Sequence, residues 1–464
     1  MQLFHKNSAL SATFDEDNLV SAAGLVPAMA LAVRTGLKDF ADELLSLPKS
    51  FGANAGLKVL ALIAGMVAGA DSIDDMALLR HGGMRKLFTG TYAPSTLGSF
   101  LRAFTFGHVR QLDAVARRWL VNLAATSPIA AGIETYALVD IDDTIKEVHG
   151  YQKQGAGFGY SHVRGLNALI GVVSTPLAAP IIIGSRLRRG PTNSVRGADK
   201  FVSDILATVK RLRTTSAAGL VLLRADSAFY AHAVVVAAKR AGAKVSITVR
   251  MDSAVKRAIA TIADDAWTTI EYPNAILDET SGTWVSVADV AEVPFTAFVS
   301  KKKADRIEGR LVVRRIPELN PQEKDGQPTL FDTHRFHAFF TTSTLDTVTA
   351  DKTHRQHAII EQVHADLKDS ALGHFPSGVF TANAAWLVLA TMAFNLSRAV
   401  GAAAGGELRT ARTATIRRKL ISVPARLSTS ARKVWLHLPQ RWPWEEGWTS
   451  LIAAACGPPR TASI

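Results

Sequence analysis

Cysteine is almost absent from this sequence of 464 residues. The lone Cys456 excludes an intrachain disulfide framework and a thiolate zinc site, and it fits a reducing compartment. The first residues, MQLFHKNSALSATFDEDN, lack the apolar segment and the small-residue cleavage site of a secretory signal. A phosphate-binding Gly-Lys-Ser/Thr loop and a Gly-x-Ser-x-Gly elbow are also missing, which argues against an ATPase and a serine hydrolase. The sequence therefore predicts a cytoplasmic protein.

Long uncharged runs are few. Residues 166–185 and 378–397 are long enough to raise the question of a membrane span. The first run contains Pro176 and Pro180, and the second contains two asparagines. We interpret them as a buried hairpin and a buried helix of a large core, and we expect no membrane association.

Acidic residues are outnumbered by basic ones. The chain has 53 Lys and Arg against 40 Asp and Glu, which gives a formal net charge of +13 and favours polyanionic partners such as nucleic acid. With 48% hydrophobic and 20% charged residues, the composition is that of a globular protein, and wholesale disorder is excluded.

The sequence pattern divides the chain into five segments. Helical spacing of apolar residues predicts a helical region over 1–130, either a DNA-binding unit of helix-turn-helix type or an ordinary helical domain. Residues 131–250 alternate strands and helices and predict a mixed sheet flanked by helices. Antiparallel strands over 251–350 predict an insertion with its own sheet. Helices resume over 351–400, and a basic segment follows over 401–464.

Carboxylates follow two of the predicted strands. In ALVDIDDT, strand alternation places Asp140 and Asp142 on one side, with Asp143 next to them. In LVLLRADSAFY, Asp226 lies at the end of an apolar run, where open α/β sheets place their sites. Such oxygen ligands suit Mg²⁺, although solvated strand ends and a helix cap at Asp226 explain the same residues.

A third group lies in HRQHAIIEQVHADLK, which reads as one helix. Polar residues at spacings of 3 and 4 form one stripe on it: His354, His357, Glu361, His364 and Lys368. The stripe fits either a histidine and carboxylate site for a transition metal, or Glu361 as the last carboxylate of a Mg²⁺ site beside DNA contacts.

A basic run covers residues 408–434, which contain eight Lys or Arg and no acidic residue. Arg417, Arg418 and Lys419 are adjacent in it, and we predict that they bind DNA phosphates. A solvated basic surface is the alternative interpretation.

Taken in chain order, the two aspartates and the helical glutamate after a β-rich segment resemble the DDE transposases of insertion sequences. The sequence is most similar to the IS-thirteen-eighty group of the IS-four-like superfamily, over most of its length. The similar segments are VDIDDT with HGYQKQGAGFGYSHVRG, LRADSAFY, ALGHFPSGVFTANAAWLVLATMAFNLSRAV and TIRRKLISVPARLSTSARKVWLHLP. Glu361, six intervening residues and Lys368 fit the family's Tyr-x2-Arg-x3-Glu-x6-Lys signature.

The resemblance implies an α/β fold: a ribonuclease H-like mixed sheet with flanking helices, interrupted by a β-rich insertion, with helical N-terminal and C-terminal regions. It implies that Asp142, Asp226 and Glu361 share two Mg²⁺ ions, which Mn²⁺ is expected to replace, and catalyse cut-and-paste DNA transposition. The implied partners are double-stranded DNA with terminal inverted repeats, target DNA and a second copy of the chain in a homodimer.

The sequence departs from the signature at two positions. His354 and His357 occupy its Tyr and Arg positions, so a contact usually made by a guanidinium falls to a titratable imidazole. We predict that His354, His357 and Lys368 bind DNA. Asp140 and Asp143 compete with Asp142 for the first catalytic position. A transposase-derived DNA-binding protein without cleavage activity and a nuclease with the same core are the alternative functions.

Overall fold

A computed structural model describes residues 9–159, 162–214, 219–278, 283–317, 334–431 and 433–457. The polar segment NPQEKDGQP, from which we predict a loop between strands at 320–328, lies outside these residues. The helices are α1 (Leu25–Arg34), α2 (Leu37–Leu44), α3 (Lys49–Gly52), α4 (Ala55–Ala68), α5 (Met84–Leu87), α6 (Pro94–Arg102), α7 (Phe106–Thr126), α8 (Ala198–Leu212), α9 (His232–Arg240), α10 (Ser253–Ile259), α11 (Thr347–Arg355), α12 (Ile359–Lys368), α13 (Phe380–Ala404), α14 (Thr413–Ile416) and α15 (Glu445–Cys456). The strands are β1 (Leu19–Val20), β2 (Tyr136–Glu147), β3 (Gly157–Phe158), β4 (Arg164–Ser174), β5 (Ile181–Arg189), β6 (Leu220–Ala225), β7 (Lys244–Thr248), β8 (Thr268–Asp278), β9 (Thr283–Ala297), β10 (Ile307–Pro317), β11 (His334–Thr341), β12 (Ala425–Ser430) and β13 (Lys433–His437).

A large mixed sheet organises the centre of the protein. Its Val-, Ile- and Leu-rich strands β2, β6 and β7 are parallel, while β4 is antiparallel to both β2 and β5. The order β5-β4-β2-β6-β7, with α8 and α9 covering the sheet, is that of a ribonuclease H-like core. Continuous apolar runs are typical of parallel strands that helices bury, and β2 and β6 lie at the centre of this sheet.

The predicted separate sheet of the insertion is wrong. Strand β11 pairs with β7 through Phe340 and Ile247, and β10, β9 and β8 continue outward from it. Among the described residues, the segment 251–350 therefore extends the central sheet to ten strands. The sequence shows the strands themselves but not the edge on which they pair, because pairing between distant segments leaves no local pattern.

The two terminal regions of the chain lie together. Strand β1 pairs with β12, which pairs with β13, in a small antiparallel sheet. Gly24 lies so close to the π-helical turn Arg417–Ile421 that a Cβ there would be 1.9 Å from the Leu420 carbonyl oxygen. The N-terminal segment predicted over 1–130 and the C-terminal segment predicted over 401–464 thus pack against each other, although they are far apart in sequence.

Helix α13 is the central helix of the helical half. It packs against α4, α6, α7, α15 and strand β5. The surrounding protein buries 94% of the most apolar 18-residue stretch of this helix. Asn395 uses its side-chain amide to bond both backbone groups of Ile182 on β5, at 2.9 and 2.8 Å. This is the one helix in the described part of the chain that is long and apolar enough to cross a membrane, and its burial is that of a core helix.

The helix predicted over HRQHAIIEQVHADLK is interrupted. Helix α11 ends at Arg355, a 3₁₀ turn covers Gln356–Ala358, and α12 begins at Ile359. The tighter 3₁₀ winding changes the angle between residues before and after it, so the polar stripe does not continue from His354 to Lys368. The apolar stripe of Ile360, Val363 and Leu367 is confirmed, with each side chain at most 2% exposed.

Candidate active site

Two aspartates meet at the carboxyl ends of the central parallel strands. Ile141 of β2 is the register partner of Ala225 of β6, and the next residue in each chain segment is an aspartate, Asp142 or Asp226. Both line a cavity of about 1460 Å³, together with Lys368 from α12. The parallel pairing of β2 and β6 therefore brings two carboxylates that are 84 positions apart onto one side of a single cavity.

Asp140 is neutralised inside the protein. Its carboxylate accepts two hydrogen bonds from Arg224, each at 2.7 Å, and a third contact from His357 Nδ1 at 2.9 Å. Asp140 and Arg224 are fully buried. Burial alone would raise the pKa of Asp140, but Arg224 and His357 hold it below its ordinary value. This residue therefore serves as the counterion of a buried guanidinium.

Asp143 is also paired. Arg188 forms an ion pair with its Oδ2 atom, and Asn167 donates a hydrogen bond to the same oxygen at 3.0 Å. The Arg188 side chain is 9% exposed, so this pair is largely shielded from water. Three aspartates of β2 compete for the first catalytic position: Asp140, Asp142 and Asp143. Among the described residues, Asp142 is the one of the three that has no guanidinium partner.

The electrostatics of the cavity disfavour negative charge on the two aspartates. Burial raises the pKa of Asp142 to about 7, and the nearby Asp226 and Asp143 carboxylates act in the same direction. Burial likewise raises the pKa of Asp226, whose side chain also accepts a hydrogen bond from the Ala228 N–H at 3.1 Å. Two carboxylates that repel each other, and that form no ion pair with a lysine or arginine in the described part of the chain, make an environment that favours a bound cation.

Helix α12 brings His364 and Lys368 close to the two aspartates, whereas Glu361 is not among the described residues that line their cavity. His364 is 7% exposed, and its Nδ1 lies 3.6 Å from Asp142 Oδ2, while its Nε2 is buried without a partner. Lys368 lines the cavity, and burial lowers its pKa. Glu361 lies one turn before His364 and is exposed. Among the described residues, no three His, Asp, Glu or Cys side chains are grouped closely enough to hold one metal ion.

The two signature histidines have different surroundings. His354 makes hydrogen-bond contacts with Ser246 at 2.8 Å and Thr248 at 3.0 Å, and its ring stacks on Phe339 at 4.0 Å. Burial lowers the pKa of His354 to about 3, so its ring is neutral at physiological pH. A DNA contact by His354 would require these hydrogen bonds to break. His357, in contrast, contacts Asp140 Oδ1 through its Nδ1 at 2.9 Å, and its position favours a lower pKa of Asp142.

The predicted basic triplet lies in the π-helical turn, beside the N-terminal helices. Arg418 is exposed, whereas Arg417 packs near Gly69 of the α4 C-terminus. Lys419 Nζ lies 4.8 Å from the centre of the Trp444 ring. These positions leave Arg418 the most accessible of the three to a nucleic-acid phosphate.

Oxygen donors at this site suit a hard divalent cation. Within the described ranges, Asp142 and Asp226 supply carboxylates that form no ion pair with a lysine or arginine, and Mg²⁺ prefers such ligands. Burial lowers the pKa of His364, whose Nδ1 lies 3.6 Å from Asp142, to about 4, so its ring is neutral. The buried imidazole of His364 adds a nitrogen donor, which Mn²⁺ accepts more readily than Mg²⁺. The residues present thus fit the expected metal, with two carboxylates already facing one cavity.

Some residues of the site escaped the sequence analysis. Tyr230 and Arg250 line the cavity, and Arg188 fixes Asp143. Tyr230 ends the segment LRADSAFY that carries the family resemblance, but no pattern around Arg188 or Arg250 indicates a site. Arg224 could have been recognised from the sequence, because it lies in an apolar run two residues before Asp226. A buried arginine is costly unless a carboxylate pairs with it.

Comparison with known proteins agrees with this geometry. The sequence matches the family model described as Transposase DDE domain group 1 over residues 3–455. No curated protein matches the sequence. The family match spans nearly the whole chain, including both cavity aspartates and helix α12. On this match, the protein belongs to the DDE transposase family, group 1.

Proposed function

We propose that this transposase cleaves DNA at the ends of an insertion sequence and joins them to target DNA by metal-dependent phosphoryl transfer. The observation that carries the proposal is the pairing of Asp142 and Asp226 at neighbouring strand ends in one cavity, with raised carboxyl pKa values. Perturbed carboxylates in a cleft are typical of catalytic sites.

Asp142 and Asp226 are the residues that would hold the metal, with Glu361 as the third carboxylate. When bound, Mg²⁺ or Mn²⁺ supplies Lewis-acid activation of a water or of a DNA 3′-hydroxyl. Glu361 shares its helix face with Lys368, which lines the cavity. Asp366, the other carboxylate inside α12, lies on the opposite side, where it accepts a hydrogen bond from the Thr413 N–H at 3.1 Å. Glu361 is therefore the better candidate on this helix.

The basic residues around the cavity would bind the DNA. Lys368, which lines the cavity, would contact a phosphate of the reacting strand, and His357 would hold the Asp140 carboxylate through its Nδ1. Arg417, Arg418 and Lys419 complete the proposed DNA contacts, with Arg418 the most exposed of the triplet, whereas the predicted contact of His354 is left out because Ser246 and Thr248 hold its ring. The same proposal includes a homodimer that pairs two element ends. It also includes membership of the IS-thirteen-eighty group and a cytoplasmic location.

A specific observation favours a second candidate, a DNA-binding protein that no longer cleaves. His354 is engaged by Ser246 and Thr248, and no three-donor metal group is formed among the described residues. Such a protein would bind element ends tightly and leave both strands intact.

Cleavage of a labelled duplex that carries the element's own end distinguishes these candidates. We expect the wild-type protein to nick the end with Mg²⁺ or Mn²⁺ and not with EDTA. Asp226→Asn and Glu361→Gln should abolish nicking, while Asp369→Asn, an exposed carboxylate just after the same helix, should retain it. End-specific binding with no nicking by the wild type would favour the inactive protein. Nicking without preference for the end would favour the nuclease.

A further inference from the structure

A strongly basic loop lies outside the site residues described so far. It connects β9 to β10 over residues 298–306 and is called the lysine loop below. It contains three consecutive lysines and an arginine against one carboxylate, in the order Lys301, Lys302, Lys303, Asp305 and Arg306. All of these side chains are exposed, and none forms an ion pair among the described residues.

The lysine loop is fixed to the wall of the catalytic cavity. The Phe298 ring stacks on Tyr230, with 5.0 Å between ring centres, and Tyr230 lines the cavity that contains Asp142 and Asp226. At the other end of the loop, His232 Nε2 lies 2.8 Å from the carbonyl oxygen of Asp305. Two contacts therefore hold the loop against the segment that directly follows Asp226.

Phe298 has a backbone angle φ of +60°, which bulky residues rarely adopt. The stacking of the Phe298 ring holds the backbone in this strained conformation. Backbone strain of this kind often occurs at functional positions. The lysines thus emerge from a turn of defined shape beside the cavity. The adjacent Val299 is 56% exposed and also faces solvent.

Three adjacent ammonium groups repel one another, and none of them forms an ion pair in the described part of the chain. A nucleic-acid strand carries a phosphate about every 3.4 Å, so one strand crossing the loop would meet several of these cations at once. We propose that the lysine loop binds the phosphate backbone of the duplex where it leaves the catalytic cavity. This inference rests on the proposed function, because it specifies where that DNA lies.

The test compares two triple variants that each lose three positive charges. One is Lys301→Gln, Lys302→Gln and Lys303→Gln in the lysine loop. The control changes Lys239, Arg240 and Lys244 to Gln at the far end of α9 and the start of β7, where all three are also exposed. Binding of a duplex with an element end and flanking DNA is measured between 50 and 200 mM salt, and thermal unfolding confirms that each variant is folded.

We expect the loop variant to flatten the slope of log binding constant against log salt by about 2 to 3, and to weaken binding more than about tenfold at 100 mM salt. The control variant should stay close to wild type. The proposal is wrong if the loop variant keeps the wild-type salt slope. It is also wrong if the loop variant and the control variant change equally. A wild-type protein that binds no DNA would refute the proposed function as well, which separates the two failures.

A second readout does not depend on removing charge. A photo-crosslinking amino acid at Val299 should crosslink to the duplex close to the cleavage position, because the side chain is exposed between the Phe298 anchor and the lysines. The same amino acid at Leu177, which is 62% exposed in the turn between β4 and β5 near the start of β2, serves as the matched position away from the loop. Crosslinks from Leu177 but not from Val299 would contradict the proposal.

Discussion

Neighbouring aspartates on β2 should have opposite effects on stability when each is changed to asparagine. Asp142 has no guanidinium partner, and burial raises its pKa to about 7, whereas Asp143 is paired with the buried Arg188. The two variants remove the same charge from consecutive residues. We expect Asp142→Asn to stabilise the metal-free protein at pH 8 and Asp143→Asn to destabilise it.

The size of the first effect follows from the pKa difference between the folded and unfolded states. An unfolded aspartate loses its proton near pH 3.8, and the folded Asp142 loses it near pH 7. Between these values the folded state binds the extra proton, so the stability of the wild type falls as the pH rises. About 3 units at 1.36 kcal/mol each give about 4 kcal/mol, and the 25% exposure of the side chain to water reduces this to about 2 to 4 kcal/mol.

The second effect has the opposite sign because it leaves a charge behind. Without the Asp143 carboxylate, the Arg188 guanidinium stays buried and keeps only the Asn167 oxygen and backbone carbonyls as partners. Breaking a buried ion pair by removing one partner costs about 3 to 5 kcal/mol. Partial access of water at this site places the expected loss at the lower end of that range.

Urea unfolding in EDTA at pH 4.5 and pH 8 measures both effects on one scale. The stability advantage of Asp142→Asn over the wild type should be about a quarter of its full size at pH 4.5, where the unfolded carboxyl is already mostly ionised, and reach its full size at pH 8. If Asp142→Asn is no more stable than the wild type at pH 8, Asp142 is not the strained carboxylate of this site. If Asp143→Asn is neutral, the pairing with Arg188 does not hold in solution.

Three further predictions test the surrounding structure. Arg224→Met should lower the free energy of unfolding by about 3 to 5 kcal/mol in a urea titration, because Asp140 would remain buried with only an imidazole partner. Adding Mg²⁺ should raise the Tm of the wild type more at pH 8 than at pH 6, because protons compete with the ion for Asp142, and Asp142→Asn should lose most of this increase. Asn395→Leu should destabilise the protein by about 2 to 4 kcal/mol in the same titration, because both backbone groups of Ile182 would lose their partner.

The local elements of the core were predictable because their signals are local. The apolar runs around ALVDIDDT and LVLLRAD form β2 and β6, and the hairpin predicted from two apolar segments forms β4 and β5. Parallel strands of one sheet place the residues that follow them at one edge, but only the family resemblance, and no local pattern, implied that Asp142 and Asp226 act together.

The long-range pairings could not be predicted in the same way. The sheet of β1, β12 and β13 joins segments about 400 positions apart, and β11 pairs with β7 across the whole insertion. Short strands such as the two-residue β1 carry no periodicity. Their pairing depends on which edge is free once the core has assembled, which is a property of the tertiary structure and not of any window of sequence.

The break between α11 and α12 shows how a small local deviation changes the assignment of a site. Spacings of 3 and 4 place His354 and Lys368 on one stripe only if every residue between them turns by the α-helical angle. Three residues of 3₁₀ helix before Ile359 remove that condition, so His354 reaches Ser246 and Thr248 in the sheet while Lys368 reaches the cavity. The residues after the break keep their α-helical register. For this reason Lys368 is the signature residue whose predicted DNA contact the geometry favours, and His354 is the one for which it favours a structural role.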